Sequence, residues 1–218
     1  MRYISKGPEP RSLLEHRKTQ HATYANLKKD EVREQLVREQ GFICCYCMQR
    51  IHLDPGEMKI EHWAPQGAAA TRHRELDWRN LLAACKGNEG APGRDQHCDS
   101  SKGEAPLTIN PTDRRCEVLV RFLADGTIES DNPAVQVDLN ETLNLNHRRL
   151  KSSRKATLDA FLQAMQRKYS GVSWPAAALT QELAHLQQPG AGGMLQPYCQ
   201  VPIYWLKKRM GLLARTTP

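Results

Sequence analysis

The chain has 218 residues, 39% hydrophobic and 25% charged, with 31 Lys and Arg against 24 Asp and Glu for a formal net charge of +7. That length supports an ordinary core in one domain with additions or in two small ones, and no run reaches the roughly 18 apolar residues that span a bilayer. The basic excess suits a polyanion, nucleic acid first, or simply a well-solvated surface. Seven cysteines, with no apolar leader at the N-terminus, fit a disulfide framework poorly and metal binding or catalysis in the cytoplasm better.

Within residues 1–41, the first 27 are polar, with Pro8 and Pro10, and read as an extended arm or short helix, followed by a helix over Asp30–Gln40. Val32, Leu36 and Val37 share one face of it, Asp30 is placed to cap it and Gly41 to stop it. Residues 42–110 hold most of the cysteines and too few large aliphatic side chains for a core unaided, a gap a metal staple fills.

In "FICCYCMQR" (42–50), Cys44 and Cys47 form a Cys-x-x-Cys pair between flanks that read as strand, and Cys45 is surplus. Cys85 and Cys98 follow, separated by the glycine-rich "KGNEGAPGRDQH". Four thiolates in two groups match the closed tetrahedral shell of structural zinc, with His97 as an alternative ligand. A thioredoxin-like redox pair needs a βαβ context that is missing here. Cys116 and Cys199 stand alone and read as buried thiols.

Between the pairs, "MKIEHWAPQG" (58–67) is a short strand ending at Glu61-His62, and "WRNLLAAC" (78–85) carries Asn80 into Cys85. Asp99 and Lys102 open "DSSKGE" directly after Cys98. Further on, "CEVLVRFLADGTIES" (116–130) reads as a β-hairpin around Asp125-Gly126. Helical patterning starts near Glu141, with Leu158, Phe161, Leu162 and Met165 at amphipathic spacing. Helices are also expected over 176–187 and over "IYWLKKRMGLL" (203–213). Residues 145–168 carry Arg148, Arg149, Lys151, Arg154, Lys155, Arg167 and Lys168 against Asp159 alone, a solvated helix face or a phosphate-contacting one. The expected fold class is α+β, with the 42–110 core between the N-terminal arm and a 111–218 region of hairpin and helices.

Glu61-His62, Asn80 and Asp99-x-x-Lys102, threaded in this order through the four cysteines, resemble the zinc-stapled HNH endonucleases over roughly residues 42–104. The resemblance implies a ββα-metal core: Ile60-Glu61-His62 in the first strand, Asn80–Cys85 in the second, and a helix from Cys98-Asp99. It implies phosphodiester hydrolysis in DNA or RNA. His62 would be general base, Glu61 and Asp99 ligands of a catalytic Mg²⁺ or Mn²⁺, and Cys44, Cys47, Cys85 and Cys98 ligands of structural Zn²⁺. Asn80 would bond the backbone or ring nitrogen that orients His62. Lys102, Arg148 and Arg149 would meet phosphates. The long loop before Cys98 departs from the compact pattern, as does Asp99, where the family more often has histidine or asparagine.

"ISKGPEP" (4–10) and "LNLNHRRLKSSR" (143–154) are similar to the HNH proteins of Septu-type anti-phage defence systems and their retron-associated relatives. That likeness implies a bacterial cytoplasmic protein controlled by an ABC-type ATPase; the chain has no Walker-type loop of its own. Neighbours on a regular strand face opposite sides, so Glu61 and His62 can share a site only at a strand end, which Trp63-Ala64-Pro65 suggests. The competing reading is a zinc-ribbon module that binds nucleic acid or a protein without catalysis. Such a module has no need of Glu61, His62, Asn80 and Asp99.

Overall fold

The computed structural model describes residues 1–67, 69–169 and 173–211; residues 212 and 213 of the last expected helix lie outside them. Among these residues the fold is α+β, with seven α-helices and two two-stranded sheets. A short helix α1 (Arg11–His16) precedes α2 (Asp30–Glu39). Val32, Leu36 and Val37 are buried on the inner face of α2. Lys29 holds the cap position and Asp30 is the first helical residue, so Asp30 favours the helix through its positive end, not as a cap. Gly41, at φ +62°, turns the chain out.

Strands β1 (Met58–His62) and β2 (Leu81–Cys85) pair antiparallel, with Met58 opposite Cys85 and His62 opposite Leu81. All five residues of β2 are buried, which is why its sequence runs apolar without alternation. The free edge of β2 is satisfied by neighbours: the Gln40 amide accepts from Ala83 N (2.7 Å) and donates to Ala83 O (2.8 Å), and Cys45 N donates to Ala83 O (3.0 Å). After β2 comes the four-residue helix α3 (Asp99–Lys102).

The expected hairpin is present but narrow: β3 (Arg121–Phe122) pairs with β4 (Ile128–Glu129). Cys116 belongs instead to a helical turn over Arg114–Glu117, capped by the Asp113 carboxylate accepting from Arg115 N. The Asn146 side-chain amide takes the place of a third strand, bonding both Ile128 N and Ile128 O at 2.9 Å.

Helical structure resumes earlier than Glu141, in α4 (Pro133–Val137), because Asn132 caps its start and Pro133 fits the first turn. Then follow α5 (Arg148–Lys168), α6 (Ala176–Gln187) and α7 (Gln200–Arg209). In α5, Leu158 and Met165 are buried, and Phe161 and Leu162 half-buried. Arg154 departs from the expected basic face. It is 1% exposed, with Nε donating to Gly126 O (2.6 Å) and Nη2 to Leu145 O (2.8 Å).

One apolar cluster joins α2, the cysteines, β2 and the C-terminal helices. Hydrogen bonds cross it too. Asp138 Oδ2 accepts from Thr108 N (2.7 Å) and Ile109 N (2.8 Å), and Arg50 Nη2 donates to Leu195 O (2.5 Å). Leu195 N donates to Gly41 O and Tyr198 N to Met48 O, each at 3.0 Å.

Candidate metal centre and polar cleft

The Cys44–Cys47 pair sits on a tight knuckle. Ile43 and Arg50 form an antiparallel bridge, Cys44 N donates to Gln49 O (2.9 Å) and Met48 N to Cys44 O (3.0 Å). The second pair depends on Gly87, which follows the end of β2 at φ +56°; a Cβ there would lie 1.9 Å from the carbonyl oxygen of His97. His97 N donates to Gly87 O (2.9 Å), closing the long loop on itself and returning Cys98 beside Cys85. Cys98 N is fixed in turn by Leu143 O at 2.8 Å.

The four Sγ atoms are buried and lie within 4.8 Å of one another. Cys44 and Cys98 are 3.9 Å apart, and Cys47 and Cys85 3.8 Å. A zinc ion with bonds of about 2.3 Å has its sulfurs about 3.8 Å apart. This set of buried cysteines can therefore hold a metal ion such as zinc. Among the described residues it is the one group of three or more His, Cys, Asp or Glu close enough to hold an ion.

Burial would raise the Cys44 thiol, but hydrogen bonds from Cys45, Cys47, Cys85 and Cys98 outweigh it and hold it well below the ordinary range. Cys85 and Cys98 are pushed well up, chiefly by their neighbouring sulfurs and by burial. His97 is not a member: its Nδ1 stands 3.2 Å from Cys98 Sγ and 4.0 Å from Cys85 Sγ, beside the sulfurs and not in place of one. Cys45 is buried outside the group, and burial pushes its thiol well up. Cys116 and Cys199 are buried and isolated from the cluster; burial raises both, Cys116 to about 12.

A cleft of about 150 Å³ opens where β1 ends beside α3, lined by Glu61, His62, Gln66, Asp99, Lys102 and Glu104 among others. Glu61 and His62 thus reach one space despite being neighbours. The strand stops at His62, and Asn80 governs the chain beyond it: Trp63 N donates to Asn80 O (3.0 Å) and Ala64 N to Asn80 Oδ1 (2.7 Å). The Asn80 amide nitrogen donates to Ala64 O (3.0 Å) and Arg74 O (3.2 Å). These bonds run to backbone, not to the ring of His62.

His62 Nε2 lies 2.9 Å from Glu75 O, the residue after Arg74, and its ring meets Tyr24 edge-on at 4.5 Å. Burial lowers its pKa below the usual 6.5, with the Glu75 carbonyl opposing. A neutral ring in this setting carries its proton on Nε2 and keeps the Nδ1 lone pair free.

Glu61 is 3% exposed, and its Oε1 accepts from Tyr46 Oη (2.7 Å) and Lys102 Nζ (2.8 Å). Burial and a hydrogen bond with Asp99 push its pKa up to about 8, against the pull of Lys102. For Asp99, burial acts upward, but the Glu61 hydrogen bond and the Lys59 ammonium at 3.1 Å hold it below the ordinary value. The two carboxyl groups are thus pulled in opposite directions, Glu61 up and Asp99 down.

Lys102 does not reach outward as expected for a phosphate contact. Its side chain is 1% exposed and donates to His62 O (2.9 Å) as well as pairing with Glu61. Arg148 and Arg149 are exposed at the start of α5.

Sequence reasoning missed Tyr46 and Lys59. Tyr46 lies inside the Cys-x-x-Cys pair, where the cysteines drew attention. Lys59, which also pairs with Glu89 at 2.6 Å, was accessible to strand alternation, since it shares a face of β1 with Glu61. No protein-family model matches the chain and no curated protein does.

Proposed function

We propose that the chain is a metal-dependent endonuclease of the HNH type that hydrolyses phosphodiester bonds in DNA or RNA. The observation that supports this best is one cleft lined together by the His62 imidazole, whose pKa burial lowers, and the Glu61 and Asp99 carboxyl groups. It lies on an antiparallel strand pair that leads through the cysteine cluster into a helix. In this reading Cys44, Cys47, Cys85 and Cys98 hold structural zinc, and the bond between strand and helix is a staple, not a reagent.

His62 takes the proton from the attacking water at Nδ1. The Glu75 carbonyl, accepting from Nε2, then stabilises the imidazolium that forms. Asn80 is a positioning residue, acting through the backbone of Ala64 and Arg74 on either side of that contact. Glu61 and Asp99 would hold Mg²⁺ or Mn²⁺, since two carboxylates suit a hard cation that keeps several waters. The cation, when bound, supplies charge stabilisation for the leaving oxygen. Lys102 keeps Glu61 in place through its ion pair. Arg148 and Arg149 are assigned to the nucleic-acid backbone. The likeness to Septu and retron-associated proteins supplies the partner, an ABC-type ATPase that licenses cutting in a bacterial defence system.

The Glu61–Lys102 pair favours a second reading, because it satisfies the carboxylate without any cation. On that reading the chain is a non-catalytic zinc-ribbon module binding nucleic acid or a protein. The two separate in a nicking assay on DNA and RNA with Mg²⁺ or Mn²⁺, with and without the ATPase. We expect His62→Ala to cut roughly 100-fold or more slowly than the wild type. Equal rates, or no cutting by the wild type even with the partner, support the module.

A further inference from the structure

A second cavity, of about 290 Å³, opens at the far end of α5 and is lined by Phe161, Leu162, Trp174, Trp205, Lys208 and Arg209 among others. Leu162 is fourteen residues beyond Arg148, about 21 Å along the helix at 1.5 Å per residue. The start of α5 is the end that abuts the cysteine cluster, where the His147 and His97 rings lie 5.8 Å apart. This cavity is therefore distinct from the polar cleft.

Its chemistry combines two features. The walls are largely aromatic and half-buried, and among the described residues no acidic side chain lines them. Each cation is seated against an indole: the Arg209 guanidinium lies 4.4 Å from the Trp174 ring centre, and Lys208 Nζ 5.5 Å from that of Trp205. Cations at a helix C-terminus are expected from the dipole alone, so their charge by itself says little. Their seat over half-buried rings that line one cavity is what points to a ligand. The indole nitrogen of Trp205 adds a second observation, being buried with no hydrogen-bond partner among the described residues, a donor that native proteins seldom leave unmet.

We infer that this cavity receives one unpaired nucleobase with its adjacent phosphate, either as a free nucleotide or within a single strand. The base stacks on an indole face, and the phosphate meets Arg209 and Lys208. The volume is at the lower edge of the roughly 300–1,000 Å³ of small-molecule sites, enough for one nucleotide and not for several. An aliphatic ligand would leave both cations unanswered, and a duplex offers no free base face. The inference deepens the nuclease reading by naming an unpaired substrate, and rests on it for the link to nucleic acid.

The test uses the full chain carrying His62→Ala, without added divalent cation, so that binding is read apart from cutting. Short labelled oligouridylate and oligothymidylate strands, their duplexes, and AMP are the probes, followed by anisotropy and by tryptophan quenching. Single strands are expected to bind, with Trp174→Ala and Arg209→Ala each weakening them roughly five- to a hundred-fold. Duplex binding should stay unchanged, and Trp174→Phe should recover most of the loss. Saturable quenching by AMP identifies a free nucleotide as sufficient; binding of strands without AMP identifies the strand; either supports the inference. Lys208→Ala, at an exposed position, covers the case in which a tryptophan variant fails to fold. Undiminished binding in all variants, an equal loss for duplex, or no binding of any probe overturns the inference. Cutting by the His62-intact chain is scored separately, so an active nuclease with an unused cavity remains a distinct outcome.

Discussion

At the end of β1, a single carboxyl group answers to three partners, Tyr46, Lys102 and Asp99. Removing Lys102 leaves that carboxyl buried without its counter-charge. Breaking a buried pair from one side costs about 3–5 kcal/mol, and we expect Lys102→Met to lower the urea midpoint accordingly. Glu61→Gln in the same chain should restore part of the loss, and an unchanged midpoint in Lys102→Met would show the pair to be dispensable. His62 sets a pH dependence of known sign. Its pKa is lowered by burial, so the unfolded chain takes up this proton first as pH falls below 6.5. The stability held by the neutral ring is thus present above 6.5 and lost below it. The acid limb of cutting should likewise fall below pH 6.5, and a limb above that value would assign the base elsewhere. Glu61, His62 and Asp99, singled out by their order along the chain, line one cleft. The inward turn of Lys102 was not legible in the sequence, since a lysine one turn into a helix reads as solvated unless packing is known.

Among the elements, the knuckle and the loop before Cys98 decide whether a metal is held. We expect one zinc per chain by elemental analysis, lost in Cys44→Ser and kept in Cys45→Ser. Retention in the first and loss in the second would exchange their roles. Gly87→Ala is the sharper test, because it touches no ligand. A non-glycine residue at φ +56° is strained by about 1–3 kcal/mol, and its Cβ would strike the His97 carbonyl. The loop must then open, and zinc content should fall with the ligands intact. Cysteine spacing made the cluster legible from sequence. How Cys98 returns was not, because it depends on the backbone pair between Gly87 and His97 and on Leu143, a residue far along the chain. The hairpin shrank for a similar reason: Asp113 draws Cys116 into a helical turn that the alternation of apolar residues conceals.

For the molecule as a whole, the basic run on α5 divides into two kinds of cation. Arg148 and Arg149 face solvent, and changing both to Ala should weaken nucleic-acid binding and flatten its salt dependence; an unchanged slope would make them a solvated face. Arg154 instead ties α5 to the hairpin through Gly126 O, where a Cβ on Gly126 would lie 2.1 Å from Lys151 O. Helix periodicity foretold α2, α5 and α6, but a run of like charges does not say which member turns inward. The hydrogen bonds from Arg50 to Leu195, Leu195 to Gly41 and Tyr198 to Met48 have a consequence for synthesis. Chains emerge from the ribosome N-terminus first, so the knuckle bearing Cys44 and Cys47 is made early and braced late. A polypeptide halted before residue 195 would present all four cysteines on a mount still missing its last supports, and any ion it had acquired would exchange faster than from the finished protein.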